Sequence, residues 1–170
     1  MTRHFARILV PIDFSAASDG ALAEAKTMAE RFGASLHLLH VLDDPYTTAA
    51  FSAELYVPIP TGLRESWQKS AGERLATRLT PGEQVRFRST TEVVFGLAAK
   101  VIVEYADDHD IDLVVMGTHG RSGVAHLFLG SVAECVVRTA PCPVLTVRDT
   151  RVAERHVVAV AETTATPLAM

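Results

Sequence analysis

Cysteine is scarce in this chain. Cys135 and Cys142 are the only two, and their spacing matches no metal motif. The expectation is a pair of thiols in a reducing compartment, not a disulfide framework. Long apolar runs are missing as well. None approaches the ~20 residues that a bilayer-spanning helix needs, which argues against a membrane protein. The apolar stretch near the start, Ile8 to Ile12, is closed by Asp13 and is too short for a secretory signal, so a cytoplasmic location is expected. A basic excess is also lacking. The formal charge is −4, which argues against a nucleic-acid surface. Three catalytic signatures are absent too: no Walker lysine, no GxSxG elbow and no HExxH pair.

What is present is an ordinary soluble balance, with 48% hydrophobic and 21% charged residues in 170. One domain of this size buries roughly 70% of its unfolded surface and needs no staple to fold.

The hydrophobic pattern alternates between two periods. "ARILVPID" (Ala6–Asp13) is apolar on consecutive positions, as a strand buried on both faces must be. Ala17, Ala21, Ala25, Met28 and Phe32 then recur at helical spacing, with Ser15 as N-cap and Gly33 as the residue that ends the helix. A second strand covers Ser35–Leu42. Its His37 and His40 sit three apart, which on a strand sends them to opposite faces and speaks against a metal pair. Leu63–Leu79 reads as a helix ended by Pro81-Gly82, and Gln84–Ser89 as an edge strand alternating Val85 and Phe87 with Arg86 and Arg88. A helix follows, with Leu97, Val101, Ile102, Tyr105 and Ala106 inward. Leu113–Met116 forms the next strand, Ser131–Arg138 a last helix and Val144–Val147 a last strand. The acidic run Asp107–Asp112 lacks the glycine and glutamate of a calcium loop and reads as a solvated turn. Two stretches have no clear period: residues 43–62, which suit either a flap over a site or a surface insertion, and the tail 149–170.

Strands alternating with helices imply an α/β fold, a doubly wound parallel sheet with helices on both faces. Ligands of such sheets bind beyond the carboxyl ends of the strands, where the strand order switches. Four of the ten glycines, Gly117, Gly120, Gly123 and Gly130, crowd into the segment after the fourth strand. Glycine there lets backbone N–H groups approach an anion, and a helix starting straight after adds unsatisfied N–H groups and the positive end of its dipole. Gly117 and Gly120 would shape a turn, and Ser131 would cap the helix and offer its hydroxyl to a phosphate.

The spacing Gly117-x2-Gly120-x9-Gly130-Ser131 resembles the nucleotide loop of the universal stress protein family. "RILVPIDFS", "LHLLHV", "DLVVMGTHGRSG" and "GSVAECVVRTAPCPVLTVR" are similar to that family's pattern in the same order, from Arg7 to Arg148. The resemblance implies a Rossmann-like single domain over residues 1–148, with five strands in the order 3-2-1-4-5. It also implies ATP as bound ligand, with Mg²⁺ as a candidate companion, and a homodimer made by pairing fifth strands. Carried over by position, Asp13 would read adenine or ribose, and the main chain of Val41 would meet the adenine edge. Gly117, Gly120, Gly130, Ser131 and Val132 would cradle ribose and phosphates. Pro11 and Met116 belong to the same candidate set, with His119 and Arg121 in the loop. One departure is visible: Leu97 and Ala98 stand where the family often has a proline.

The expected role is a dimeric, nucleotide-dependent stress-response module acting on client proteins. An alternative is slow ATP hydrolysis, for which His119, Asp13 and Ser122 are the available groups. A second alternative is a dimeric scaffold with a vestigial site.

Overall fold

The computed structural model describes residues 5–43, 61–118 and 130–148. The residues between and beyond these spans, including the tail 149–170 and nearly all of the 43–62 stretch, lie outside the described residues. The elements run β1 (Arg7–Pro11), α1 (Ala16–Phe32), β2 (Ser35–Leu42), α2 (Thr61–Ala76), α3 (Pro81–Arg86), β3 (Thr90–Phe95), α4 (Ala98–Asp108), β4 (Leu113–Gly117), α5 (Ser131–Thr139) and β5 (Val144–Val147). The five strands form one sheet in the order β3-β2-β1-β4-β5, and every neighbouring pair is parallel. The Rossmann-like architecture and the strand order expected from the sequence are both present.

The consecutive apolar positions of β1 follow from burial on both faces. Ile8 and Val10 join Leu36, Leu38 and Val115 under α1 and α2, against Ala21, Ala25 and Leu75. Leu9 points the other way, joining Leu39, Val114 and Met116 under α4 and α5, against Ile102, Tyr105 and Val136. Each of these fully buried aliphatic side chains contributes about 1.5–3 kcal/mol relative to exposure. In register, Ile8 lies beside Leu36 on one side and Leu113 on the other, so β1 is the centre of the sheet.

Helix α1 is delimited by the residues the sequence singles out. Ser15 Oγ accepts the Ser18 N–H at 3.2 Å, and Gly33 ends the helix at φ 67° with its N–H donated to the Ala29 carbonyl. Only a residue without a Cβ takes that left-handed position cheaply.

The edge strand expected at Gln84–Ser89 is instead the short helix α3 and the turn after it. Thr80 and Glu83 form a capping box: Thr80 Oγ1 accepts the Glu83 N–H at 3.3 Å, and Glu83 Oε2 accepts the Thr80 N–H at 2.8 Å, with Pro81 in the first turn. That local signal outweighs the two-residue alternation. Val85, expected inward, is 81% exposed, while Phe87 is buried in the core. Glu83 also binds Lys26 of α1 at 2.8 Å, and this hydrogen bond, with those to Thr80, holds its carboxyl down to about 2. The true edge strand is β3, paired with β2 from His37↔Thr90 to Leu42↔Phe95. Proline 81 therefore starts a helix as well as closing the segment before it.

Candidate functional site

The sheet changes direction between β1 and β4. β1 leaves from there toward β2 and β3, while β4 leads to β5. Beyond the carboxyl ends of these strands, on the α4–α5 face, lies a cavity of about 210 Å³. Pro11, Asp13, Val41, Met116, Gly117, Gly130, Ser131 and Val132 all line it. These are the candidate residues of the sequence that fall within the described part, drawn from four separate segments. His119, Gly120 and Arg121, the remaining candidates, lie outside the described residues, as does Gly123.

Each segment reaches the cavity for an identifiable reason. Pro11 has no N–H to give the sheet and stands at the last position of β1. One residue later the Ile12 N–H donates to the Leu39 carbonyl at 2.8 Å, fixing where the chain leaves the sheet. Asp13 then turns its Oδ1 onto Ser15, accepting from the Ser15 N–H at 3.0 Å and from its hydroxyl at 2.6 Å. The same Ser15 caps α1, so one small hydrogen-bonded unit positions both the carboxylate at the mouth and the helix behind it. Val41 and Leu39 of β2 and Met116 of β4 point to this face and give the cavity an apolar wall.

Gly117 serves a different need from the turn expected of it. It is the last residue of β4, not a loop glycine. A Cβ there would stand 2.8 Å from the carbonyl carbon and from the Cβ of Ala17 in α1. The glycine therefore permits helix and strand to touch, and the cavity is next to that contact. The sequence shows the glycine but not its neighbour 100 positions away.

The two ends of the glycine-rich stretch are tied together. The Thr118 N–H donates to the Val147 carbonyl at 2.9 Å, and the Gly130 N–H donates to the Thr118 carbonyl at 2.8 Å. Gly130 is the N-cap of α5, with φ −60° and ψ 149°, and makes no side-chain cap bond. Gly130 itself is extended. One local expectation is corrected here. Ser131 is the first helical residue, not the cap, so its hydroxyl is not committed to capping. An N-cap without a side-chain acceptor leaves the first-turn N–H groups to be satisfied by something else, and an anion suits them. The one acidic residue of that turn, Glu134, pairs with Arg138 at 3.7 Å.

Sequence reasoning missed Thr118, Ala98 and Ile102, which also border the cavity. Thr118 lies inside the quoted "MGTHG" and was legible by adjacency. Ala98 opens α4 where a proline was the family's habit. Leu97 caps that helix with no side-chain hydrogen bond and is exposed, not inward. Gly96, at φ 152°, makes the bend before it.

The two histidines of β2 do point to opposite faces. His37 Nδ1 lies 3.2 Å from the Tyr105 hydroxyl on the α4 side, whereas His40 Nδ1 lies 2.6 Å from the Ile12 carbonyl on the α1 side. Burial, reinforced by His109 and Arg7 nearby, lowers the His37 pKa; burial, with Glu92 nearby, raises that of Tyr105 to about 12.

Strand order, helices on both faces and a cleft at the switch point define a doubly wound α/β domain. Residues 4–148 match the universal stress protein family model, and the chain belongs to that family. Among its relatives, Universal stress protein MJ0531 of Methanocaldococcus jannaschii is 34% identical over 147 residues, covering 85% of this chain and 82% of the relative. The solved structure of MJ0577 from the same organism superposes with a TM-score of 0.72 at 28% identity, covering 85% of this chain and 96% of that one. Universal stress protein UspA from Lactobacillus plantarum gives a TM-score of 0.59 at 29% identity, covering 85% and 99%.

Proposed function

We propose that this protein is a cytoplasmic, homodimeric ATP-binding module whose nucleotide state regulates client proteins under stress, with residues 1–148 as the binding domain and 149–170 as a separate tail. The observation that carries the reading is the convergence of eight candidate residues on one cavity at the switch point, where an uncapped helix begins. In this reading the base lies against Val41 and Met116, Asp13 accepts from a ribose hydroxyl or the adenine amino group, and phosphates meet the start of α5 beside Gly130, Ser131 and Val132. His119, Gly120 and Arg121 are proposed to complete the phosphate side, with Mg²⁺ as a counter-ion when present.

The dimer is proposed through β5. That strand pairs with β4 on one side and stands last in the sheet order, with Leu145 exposed. An unpaired strand edge is a template for a second copy.

The test is calorimetry of the full chain with ATP, with and without Mg²⁺, followed by mass analysis of the recovered nucleotide. Saturable binding with ATP recovered intact supports the module. Accumulating ADP transfers the protein to the hydrolase reading, and no binding at millimolar ATP to the scaffold reading. Native mass spectrometry of the same sample reports the dimer, and Leu145→Lys is expected to shift it toward monomer.

A further inference from the structure

A second cavity, of about 320 Å³, lies on the opposite face of the sheet. This volume is within the range of small-molecule sites. Its floor is His40 and Leu42, which share strand parity with the core residues Leu36 and Leu38 under α1 and α2. One wall is a single face of α2, where Trp67, Ser70, Ala71 and Arg74 follow at helical spacing. Asp13 and Phe14 form the rim.

The cation on this wall differs from its neighbour one turn on. Arg78 is held by Asp19 at 2.6 Å. Arg74 makes no ion pair among the described residues; its guanidinium carbon sits 3.9 Å from the Phe14 ring centroid. Stacking fixes the plane of the guanidinium and leaves its donor edge for a planar anion, the geometry that matches a carboxylate with two parallel N–H···O bonds. Phe14 itself is held at φ 66°, a region that bulky residues rarely occupy. Its ring touches both Arg74 and, at 4.4 Å, His40. Backbone outliers of this kind cluster at ligand sites. The Asp13 carboxylate at the rim has its Oδ1 turned onto Ser15. Trp67, 39% exposed, supplies an aromatic surface next to the aliphatic floor.

We propose that this cavity is a second ligand site, selective for a small aromatic carboxylate, with the carboxylate on Arg74 and the ring along Trp67. Asp13 borders both cavities, but the proposal does not rest on the nucleotide reading and stands whether or not the first cavity holds ATP.

Trp67 is the only tryptophan, so its emission reports this cavity alone. The experiment is a fluorescence titration of the full chain, without nucleotide, with benzoate and phenylacetate as probes and benzyl alcohol as the uncharged control. The expected result is a saturable change with millimolar dissociation constants for the two carboxylates, weakened about tenfold in Arg74→Gln. Arg74→Lys, which keeps the charge but loses the fork, is expected to fall between the two. Arg74 is exposed, and unchanged circular dichroism of both variants is expected to show that they fold. No saturable change below about 50 mM, a millimolar affinity being the floor for a useful site, would overturn the proposal. So would equal binding of benzyl alcohol, or full retention of carboxylate binding in Arg74→Gln.

Discussion

At the amino end of the sheet, Asp112 accepts the N–H groups of Ala6 and Arg7, each at 2.9 Å, with one carboxylate oxygen. Arg7 reaches back to the His109 carbonyl at 2.7 Å and to Asp110 at 3.0 Å, and Tyr105 stacks on His109 with ring centroids 3.8 Å apart. At the carboxyl end, the same central strands run out into Asp13, Gly117 and Thr118 around an open cavity. One end is closed by paired side chains, and the other opens where β4 ends at Gly117 and α5 begins. In a parallel sheet all carboxyl ends lie together, so the connections there can serve a ligand while those at the amino end serve stability.

The sharpest way to break this contrast is to force α1 and β4 apart beside the open end. Gly117→Val places a side chain where a Cβ already stands 2.8 Å from the Ala17 backbone, and backbone cannot swing aside. A loss of about 1–3 kcal/mol is expected from overpacking, together with loss of ATP binding, measured by urea unfolding and calorimetry. The counterpart at the closed end is Asp112→Ala. It removes two hydrogen bonds to exposed backbone N–H groups, which water can then satisfy, and is expected to destabilise by only about 0.5–1.5 kcal/mol, the net worth of such a bond, while ATP affinity stays the same. If Asp112→Ala changed affinity as much as Gly117→Val, the division of labour between the ends would be wrong.

Asp13→Ala probes the open end more gently. ATP affinity is expected to fall about tenfold, equivalent to about 1.4 kcal/mol, with adenosine affected more than triphosphate. Equal weakening of both, with a lowered melting temperature, would make Asp13 only the anchor of the Ser15 cap. The smallest effect belongs to His37 at the closed end. Its folded pKa lies below 6.5, so the unfolded chain takes up that proton first and stability declines as pH falls below 6.5. His37→Gln is expected to flatten part of that decline in urea midpoints recorded from neutral to mildly acidic pH.

These predictions also mark what the sequence makes legible. The β1 run from Ile8 to Val10, the Ser15 cap, the Gly33 stop and the bounds of β2 are local signals, and local signals survive folding. The capping box at Thr80–Glu83 is equally local but was hidden behind the alternation of Val85 and Phe87, and so a helix stood where a strand was expected. The candidate residues that line the cavity were legible as types at given positions. Their individual duties were not, because those depend on partners distant in sequence: Gly117 on Ala17, and Gly130 on Thr118 across the stretch between them. The second cavity had no sequence signal, since it joins Phe14 to Arg74 through the packing of α2.

The central claim is that a nucleotide occupies the cleft between β1 and β4, and a co-crystal structure of the full chain with ATP and Mg²⁺ tests it most directly. The expected result is density for the base against Val41 and Met116, with phosphates at the start of α5 by Gly130 and Ser131. A cleft left empty at saturating ATP, or a nucleotide bound elsewhere on the molecule, would contradict it.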